Sequence, residues 1–284
     1  MATQLTVTRT EALTPMLRRV WFHSDDLSAF ADSAFTDRYV KLVFPRPGVT
    51  YPEPLDMRAL RGTVAPEDMP TVRTYTALFP DVAAGTLAID FVVHGDEGVA
   101  GPWAAAAKAG DTLLVNGPGG AYTPDPAADW HLLAGDESAV PAITAALQAL
   151  SEDAVAEVVV LVEAPGTEPV LEGPKKARIS FVYRTSAESG AAAGEGPLVS
   201  AVRALEWLPG TVHAFVHGEA DEVMHGIRPY LFKERGLTRG QVSISGYWRR
   251  GRTEEGFREW KQDLASAEGG ENGGKARRLF GRRG

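Results

Sequence analysis

Val72-Arg73-Thr74-Tyr75-Thr76-Ala77-Leu78-Phe79 reads as a strand in which an anion binder, a ring and a hydroxyl alternate over Arg73 to Thr76. Side chains at i and i+2 share a face of a strand. Arg73 and Tyr75 therefore point one way and Thr74 and Thr76 the other, unless a bulge re-aims them. Arginine offers a planar fork to a phosphate, tyrosine a flat face to an aromatic ring, and threonine a hydroxyl to a heteroaromatic nitrogen. The trio Arg73, Tyr75 and Thr76 suits a flavin nucleotide. A plain strand also accounts for these residues, so their surroundings decide.

A second strand, Ile89 to His94, runs into Gly95-Asp96-Glu97-Gly98-Val99-Ala100-Gly101-Pro102-Trp103-Ala104. Pro102 falls in the first turn of the short helix that the alanines up to Ala107 begin. Backbone N–H groups of such a loop and helix start can hold a pyrophosphate. His94 ends its strand at a glycine turn, where a histidine satisfies either a local carbonyl or a bound cofactor.

Working outward, Leu5–Thr10, Met16–His23, Arg38–Phe44, Leu87–His94 and Thr112–Asn116 are further short apolar or alternating runs, separated by turn residues. Such even spacing predicts a small antiparallel β-barrel. Pro45 to Pro70 reads as a long surface loop carrying Arg46, Arg58 and Arg61. Thr123-Pro124-Asp125-Pro126, within the stretch from Tyr122 to Asp129, stiffens the chain and marks a domain boundary.

After Trp130 the rhythm changes to strand then helix. Strands are expected at His131–Ala134, Ala156–Val162, Ile179–Tyr183, Val212–His217 and Gln241–Ser245. Helices are expected at Val140–Leu150 with Ser138 as cap, at Leu198–Leu205 and at about 221–235. This alternation predicts an α/β domain with a mostly parallel sheet. The chain thus divides into a barrel domain (1–126), an α/β domain (127–252) and a tail (253–284) with an amphipathic helix at Glu254–Leu264 and a Gly- and Arg-rich end.

The 284 residues, 44% hydrophobic and 23% charged, suffice for two cored domains. With no cysteine the chain excludes disulfides, thiol catalysis and cysteine-ligated iron–sulfur clusters. A formal charge of −8 argues against nucleic acid as partner. From Gly270 to Gly284 five Lys or Arg face one acid, which leaves −12 on the preceding 269 residues. No apolar run reaches the roughly 18 residues of a membrane span, and residues 1–10 lack a signal-peptide core, so a cytoplasmic protein is expected.

In a parallel sheet, ligands sit beyond the carboxyl ends of the strands. There the sequence places Gly135-Asp136-Glu137-Ser138, Glu163, Arg184, Gly218-Glu219 and Gly246-Tyr247-Trp248-Arg249. No Gly-x-Gly-x-x-Gly follows a strand, so no tight dinucleotide grip is encoded. Asp136 and Glu137 complement a helix dipole but repel a phosphate. Arg184 suits a ribose 2′-phosphate and Glu163 a free ribose hydroxyl, which leaves NADH and NADPH both open. Tyr247 and Trp248 fit either an aromatic plug or a cover for a flavin. His213 and His217, four apart in a strand, lie about 13 Å apart and cannot share a metal ion.

The combination resembles the siderophore-interacting proteins, FAD-containing ferric-siderophore reductases related to the ferredoxin reductases. The likeness is carried by Arg73-Thr74-Tyr75-Thr76, His94-Gly95-Asp96 with Gly98, Ala100, Trp103 and Ala104, Gly110-Asp111 and Gly117-Pro118-Gly119-Gly120. Ala134-Gly135-Asp136-Glu137-Ser138 with Pro141, and Gly246-Tyr247-Trp248-Arg249 with Gly251, extend it over roughly residues 5 to 260. Where the family usually has Gly-Pro-Ala-Ser, this chain has Gly98-Val99-Ala100-Gly101, so any contact at Gly101 comes from its backbone.

The resemblance implies FAD held by Arg73, Tyr75, Thr76, His94, Gly98, Ala100, Gly101 and Trp103. NADH or NADPH would bind loosely at Gly135, Asp136, Glu137, Ser138 and Arg184, with Trp248 covering the flavin. It implies a ferric siderophore drawn by Arg58, Arg249 and Arg250, aided by Arg61 and Arg252. Neither a general acid or base nor a protein ligand to iron is required. Alternatives are a reductase for free flavin or a protein partner, ferredoxin as electron donor, and a non-enzymatic binder of iron chelates.

Overall fold

The computed structural model of the chain describes residues 2–53, 55–93, 95, 98–184 and 194–251. Of the sequence expectations, His94, Arg252, the helix at Glu254–Leu264 and the basic tail lie outside the described residues. Strands β1 (Thr3–Ala12), β2 (Leu17–His23), β3 (Tyr39–Phe44), β4 (Thr71–Asp81), β5 (Thr86–Val92) and β6 (Thr112–Gly119) close into an antiparallel barrel in the order β1-β2-β5-β4-β3-β6. Its interior is filled by alternate residues, among them Leu5, Val7, Val20, Phe22, Val40, Leu42 and Phe91. Closure removes the open sheet edges that short strands otherwise expose. The 45–70 loop is not wholly superficial, because Leu60 is fully buried and anchors it.

One ion pair ties β2 to β5. Arg19 and Asp90 lie directly opposite each other in the register. The guanidinium donates from Nε to Oδ1 at 2.6 Å and from Nη2 to Oδ2 at 2.7 Å. Burial pushes the Asp90 carboxyl above its usual range, and the Arg19 contacts oppose that rise.

Strands β7 (Trp130–Asp136), β8 (Val155–Val162), β9 (Lys176–Tyr183), β10 (Val212–Glu219) and β11 (Val242–Trp248) form a fully parallel sheet in the order β11-β10-β7-β8-β9. The apolar run Val158–Val162 of β8 is that of a strand covered on both faces. Val158, Val160 and Val162 pack on the face of helix α2 (Val140–Ala149), whereas Val159 and Leu161 pack on that of α3 (Pro197–Ala204). Strand order reverses between β7 and β10, and in sheets of this winding ligands bind outside the carboxyl ends of the strands at such a switch point.

The segment expected as one α-helix over 221–235 is two π-helical turns, Glu222–Ile227 and Tyr230–Glu234. Arg228 N–H reaches back five residues to the Val223 carbonyl, and Arg235 N–H to that of Tyr230. Pro229 has no N–H to give, which interrupts the tighter ladder between them. Ser138 does not cap α2; its hydroxyl donates to Asp136 instead.

Tyr122, expected at the start of a boundary segment, is a core residue. Barrel residues hold its backbone: Asp37 Oδ1 accepts from the N–H groups of Ala121 and Tyr122, both at 2.9 Å, and Thr36 N–H donates to its carbonyl at 2.9 Å. Its ring stacks on His213 and tilts against Phe215, with centroids 4.9 Å away in each case. Leu17, from β2, joins the same apolar cluster. Burial pushes the Tyr122 phenol well above its usual pKa, with Asp37 adding to the rise.

Arg19→Ala leaves Asp90 buried without its cation, and we expect it to lower unfolding free energy by about 3–5 kcal/mol in urea denaturation. The paired replacement Arg19→Met with Asp90→Leu should recover most of that loss. A loss under about 1 kcal/mol for Arg19→Ala would mean that the pair behaves like a surface one.

Candidate functional site

The register of β3 and β4 gives the faces of the Arg73–Thr76 stretch. Arg73 lies opposite Leu42 and Tyr75 opposite Val40, both fully buried in the barrel. Thr74 and Thr76 lie opposite Lys41 and Tyr39 on the other face. The alternation expected from sequence thus holds, and β5 pairs only with the second half of β4, from Ala77 onward. The Tyr75 ring sits 4.7 Å from that of Phe91, and Phe91 sits 5.7 Å from Trp103. Phe91 therefore links the strand to the glycine-rich turn.

That turn is built for close approach. Gly98 has φ +80°, a left-handed conformation that suits glycine. A Cβ on Gly101 would stand 3.1 Å from the Val92 carbonyl, so the missing side chain lets α1 (Ala100–Ala106) press on the end of β5. Ala100 points its methyl into the barrel core, so only its backbone is available to a ligand. Trp103 stacks on Phe22 and meets Phe44 edge-on, with centroids 6.3 and 6.0 Å away. It is mainly a core residue with one side on a cavity.

The cavity, about 500 Å³, is lined by Gly98, Val99 and Trp103 together with Arg46, Thr71 and Phe44. Arg46 was not singled out as a ligand in the sequence, where it is one of three arginines in a loop. Its place two residues after the end of β3 is the signal that could have found it. Tyr39 was also missed: it faces the same side as Thr76, remains 39% exposed, and lies over Gly119, where a Cβ would collide with its ring.

At the carboxyl end of the parallel sheet the expected nucleotide residues come together, with different tasks. Asp136 is 1% exposed. Its Oδ1 accepts from the Ser138 N–H at 2.9 Å and from the Ser138 hydroxyl at 2.5 Å. Its Oδ2 accepts from the Glu219 N–H at 2.8 Å and from Trp248 Nε1 at 2.7 Å. All four donors are the chain's own, so this carboxylate is already satisfied within the protein. The last of these bonds ties the Trp248 indole to the end of β7. Gly218 fits here because a Cβ would stand 2.8 Å from Asp136 Oδ2, and Gly135 because a Cβ would stand 2.4 Å from the His217 carbonyl.

Glu219 uses its carboxylate in a similar way, accepting from the N–H groups of Asp221 and Glu222 at 2.6 and 3.1 Å and of Arg250 at 3.0 Å. Arg184 joins Glu137 at 2.6 Å and Glu163 at 3.3 Å, with its guanidinium 5.8 Å from the Trp248 ring centroid. Burial pushes the Glu137 carboxyl up, with Arg184 opposing. Arg249 lies 3.7 Å from Asp221, so the basic patch expected for an anionic substrate is partly neutralised, while Arg58 and Arg250 are exposed. No cluster of three or more His, Asp or Glu fit to hold a metal ion occurs among the described residues.

Family models match both halves: the siderophore-interacting FAD-binding domain over residues 6–122, and the siderophore-interacting protein over residues 128–251. The chain is 48% identical over 272 residues, 93% of its length and 96% of the relative's, to an uncharacterised protein of Mycobacterium tuberculosis. It is 32% identical over 248 residues, 86% of its length and 88% of the relative's, to the ferric vibriobactin reductase of Vibrio cholerae. It is also similar to the crystal structure of a siderophore utilization protein from T. fusca, with TM-score 0.72 and 35% identity, covering 89% of this chain and 94% of that one.

Asp136→Asn puts an amide donor where only acceptors fit, and we expect it to lower stability by about 1–3 kcal/mol in urea and to alter tryptophan fluorescence through Trp248. An unchanged midpoint and spectrum would show that the four donors need no carboxylate.

Proposed function

Because this chain belongs to the siderophore-interacting protein family, we propose that it is an FAD-dependent oxidoreductase that passes electrons from NAD(P)H to the Fe(III) of a siderophore and releases Fe(II). One observation carries this reading: the Phe91 ring touches both Tyr75 and Trp103, so two cofactor segments encoded some 20 residues apart lie side by side, with the cavity on the Gly98–Trp103 side. When bound, FAD supplies the conversion from a two-electron donor to a one-electron acceptor.

The chain's own residues bind and orient. Arg73 and the backbone of Gly98, Ala100 and Gly101 hold the phosphates, with Arg46 adding charge in the cavity. Tyr75 packs on the ring system or its ribityl chain, and Thr76 contacts the ring. Beyond the sheet, the residues at Gly135–Ser138 shape a nucleotide crevice whose carboxylates keep the grip loose. Arg250 and Arg58 draw in an anionic chelate against the overall negative charge. Fe(III) is gripped by hard oxygen ligands and Fe(II) less so, so reduction frees the metal without a protein ligand. No helix among the described residues is long and apolar enough to cross a membrane. We place the reaction in the cytoplasm.

The purified protein should show flavin bands that bleach anaerobically with NADH or NADPH and return on adding a ferric siderophore, as a ferrous trap colours. A protein that stays flavin-free after incubation with FAD would instead be a chelate binder. Bands that bleach only with reduced ferredoxin would make that protein the donor. Arg73→Ala should weaken FAD binding by about 1.5–3 kcal/mol in a fluorescence titration, the worth of a charge-assisted contact. Unchanged affinity would remove Arg73 from the site.

A further inference from the structure

The two residues that sequence reading leaves in conflict over the coenzyme, Arg184 and Glu163, are in contact with each other. We propose that the crevice selects NADH over NADPH, with Glu163 as the discriminating residue and Arg184 unavailable to a 2′-phosphate. This inference rests on the reading that the carboxyl end of the sheet receives a nicotinamide nucleotide.

Strand order β11-β10-β7-β8-β9 puts the ends of β8 and β9 on one side of the switch point between β7 and β10. In sheets of this winding, an acid some 20 residues beyond the first turn accepts from the ribose 2′-hydroxyl, while a nearby arginine accommodates a 2′-phosphate. Glu163 directly follows β8, and Arg184 directly follows β9. The Arg184 backbone N–H donates to the Val162 carbonyl at 3.0 Å, which fixes the two strand ends together.

The Arg184 guanidinium is engaged from two sides. Nη2 lies 2.6 Å from Glu137 Oε2 and Nε lies 3.3 Å from Glu163 Oε2. Its side chain is only 15% exposed, and that of Glu137 8%, so this pair is shielded from water. The Glu163 side chain is 54% exposed. The most exposed group of the cluster is therefore a carboxylate, with its cation more deeply buried. Two carboxylates against one guanidinium leave a net negative group. The neighbouring Tyr183 hydroxyl donates to a further carboxylate, Glu168, at 2.7 Å. A phosphate brought here meets like charge and must break a short ion pair to reach a cation. A free 2′-hydroxyl needs only an acceptor, and Glu163 has one.

The test uses the FAD-loaded protein and calorimetric titration with NAD+, NADP+, 5′-AMP and 2′,5′-ADP, none of which requires turnover. We expect NAD+ to bind about tenfold or more tighter than NADP+, and 5′-AMP tighter than 2′,5′-ADP by a similar factor. Glu163→Lys, at a half-exposed position, should tighten NADP+ and 2′,5′-ADP by about tenfold and bring the pairs level or invert them. NADP+ binding as tightly as NAD+ in the parent protein, or a Glu163→Lys protein with unaltered preference, overturns the inference while leaving the nucleotide crevice in place. Neither dinucleotide binding, together with flavin that neither NADH nor NADPH bleaches, overturns both the inference and the reading beneath it.

Discussion

A carboxylate sealed from water at the meeting of three parallel strands must find its donors within the protein, and Asp136 finds four. They come from the turn after β7, from the end of β10 and from the last residue of β11. One small anion thus fixes how the three strand ends sit relative to each other. The glycines at 135 and 218 are the steric condition for it, since a methyl at either place would collide with backbone or with the carboxylate. Glu219 repeats the device one layer further out. Backbone donors that a phosphate-gripping loop would leave for its ligand are here occupied by the protein's own acids. Under the proposed reading, a nucleotide arriving at this end of the sheet meets few unoccupied backbone donors, which goes with the absence of a glycine-rich fingerprint.

The barrel meets the opposite demand, a cofactor that stays. Rings supply much of the framework, with Phe22, Phe44 and Phe91 each against Trp103 and Tyr75 leaning on Phe91. Aromatic cores of this kind are stiff and combine large buried area with defined geometry.

Much of this was legible in the sequence because period and punctuation are local properties. Apolar or alternating runs gave the six barrel strands, and the strand-then-helix rhythm after Trp130 gave the parallel sheet. The faces of Arg73 and Tyr75 followed from period two alone. What escaped depended on partners distant in sequence. Asp136 reads as a helix-start acid until Glu219 and Trp248, 83 and 112 residues away, are seen donating to it. Arg184 reads as a free cation until two acids are found beside it. The π-helical winding near Pro229 was hidden because one missing N–H is compatible with several ways of continuing a helix.

Tyr122 has a consequence of another kind. Its backbone belongs to the barrel and its ring to the sheet, and Leu17 reaches across in the same way. Neither half therefore ends where the chain crosses between them. A gene fusion that joined this barrel to a foreign α/β unit would bring a peg without its socket. A substitution at Tyr122, His213 or Phe215 is therefore felt in both halves, although the chain is built as two.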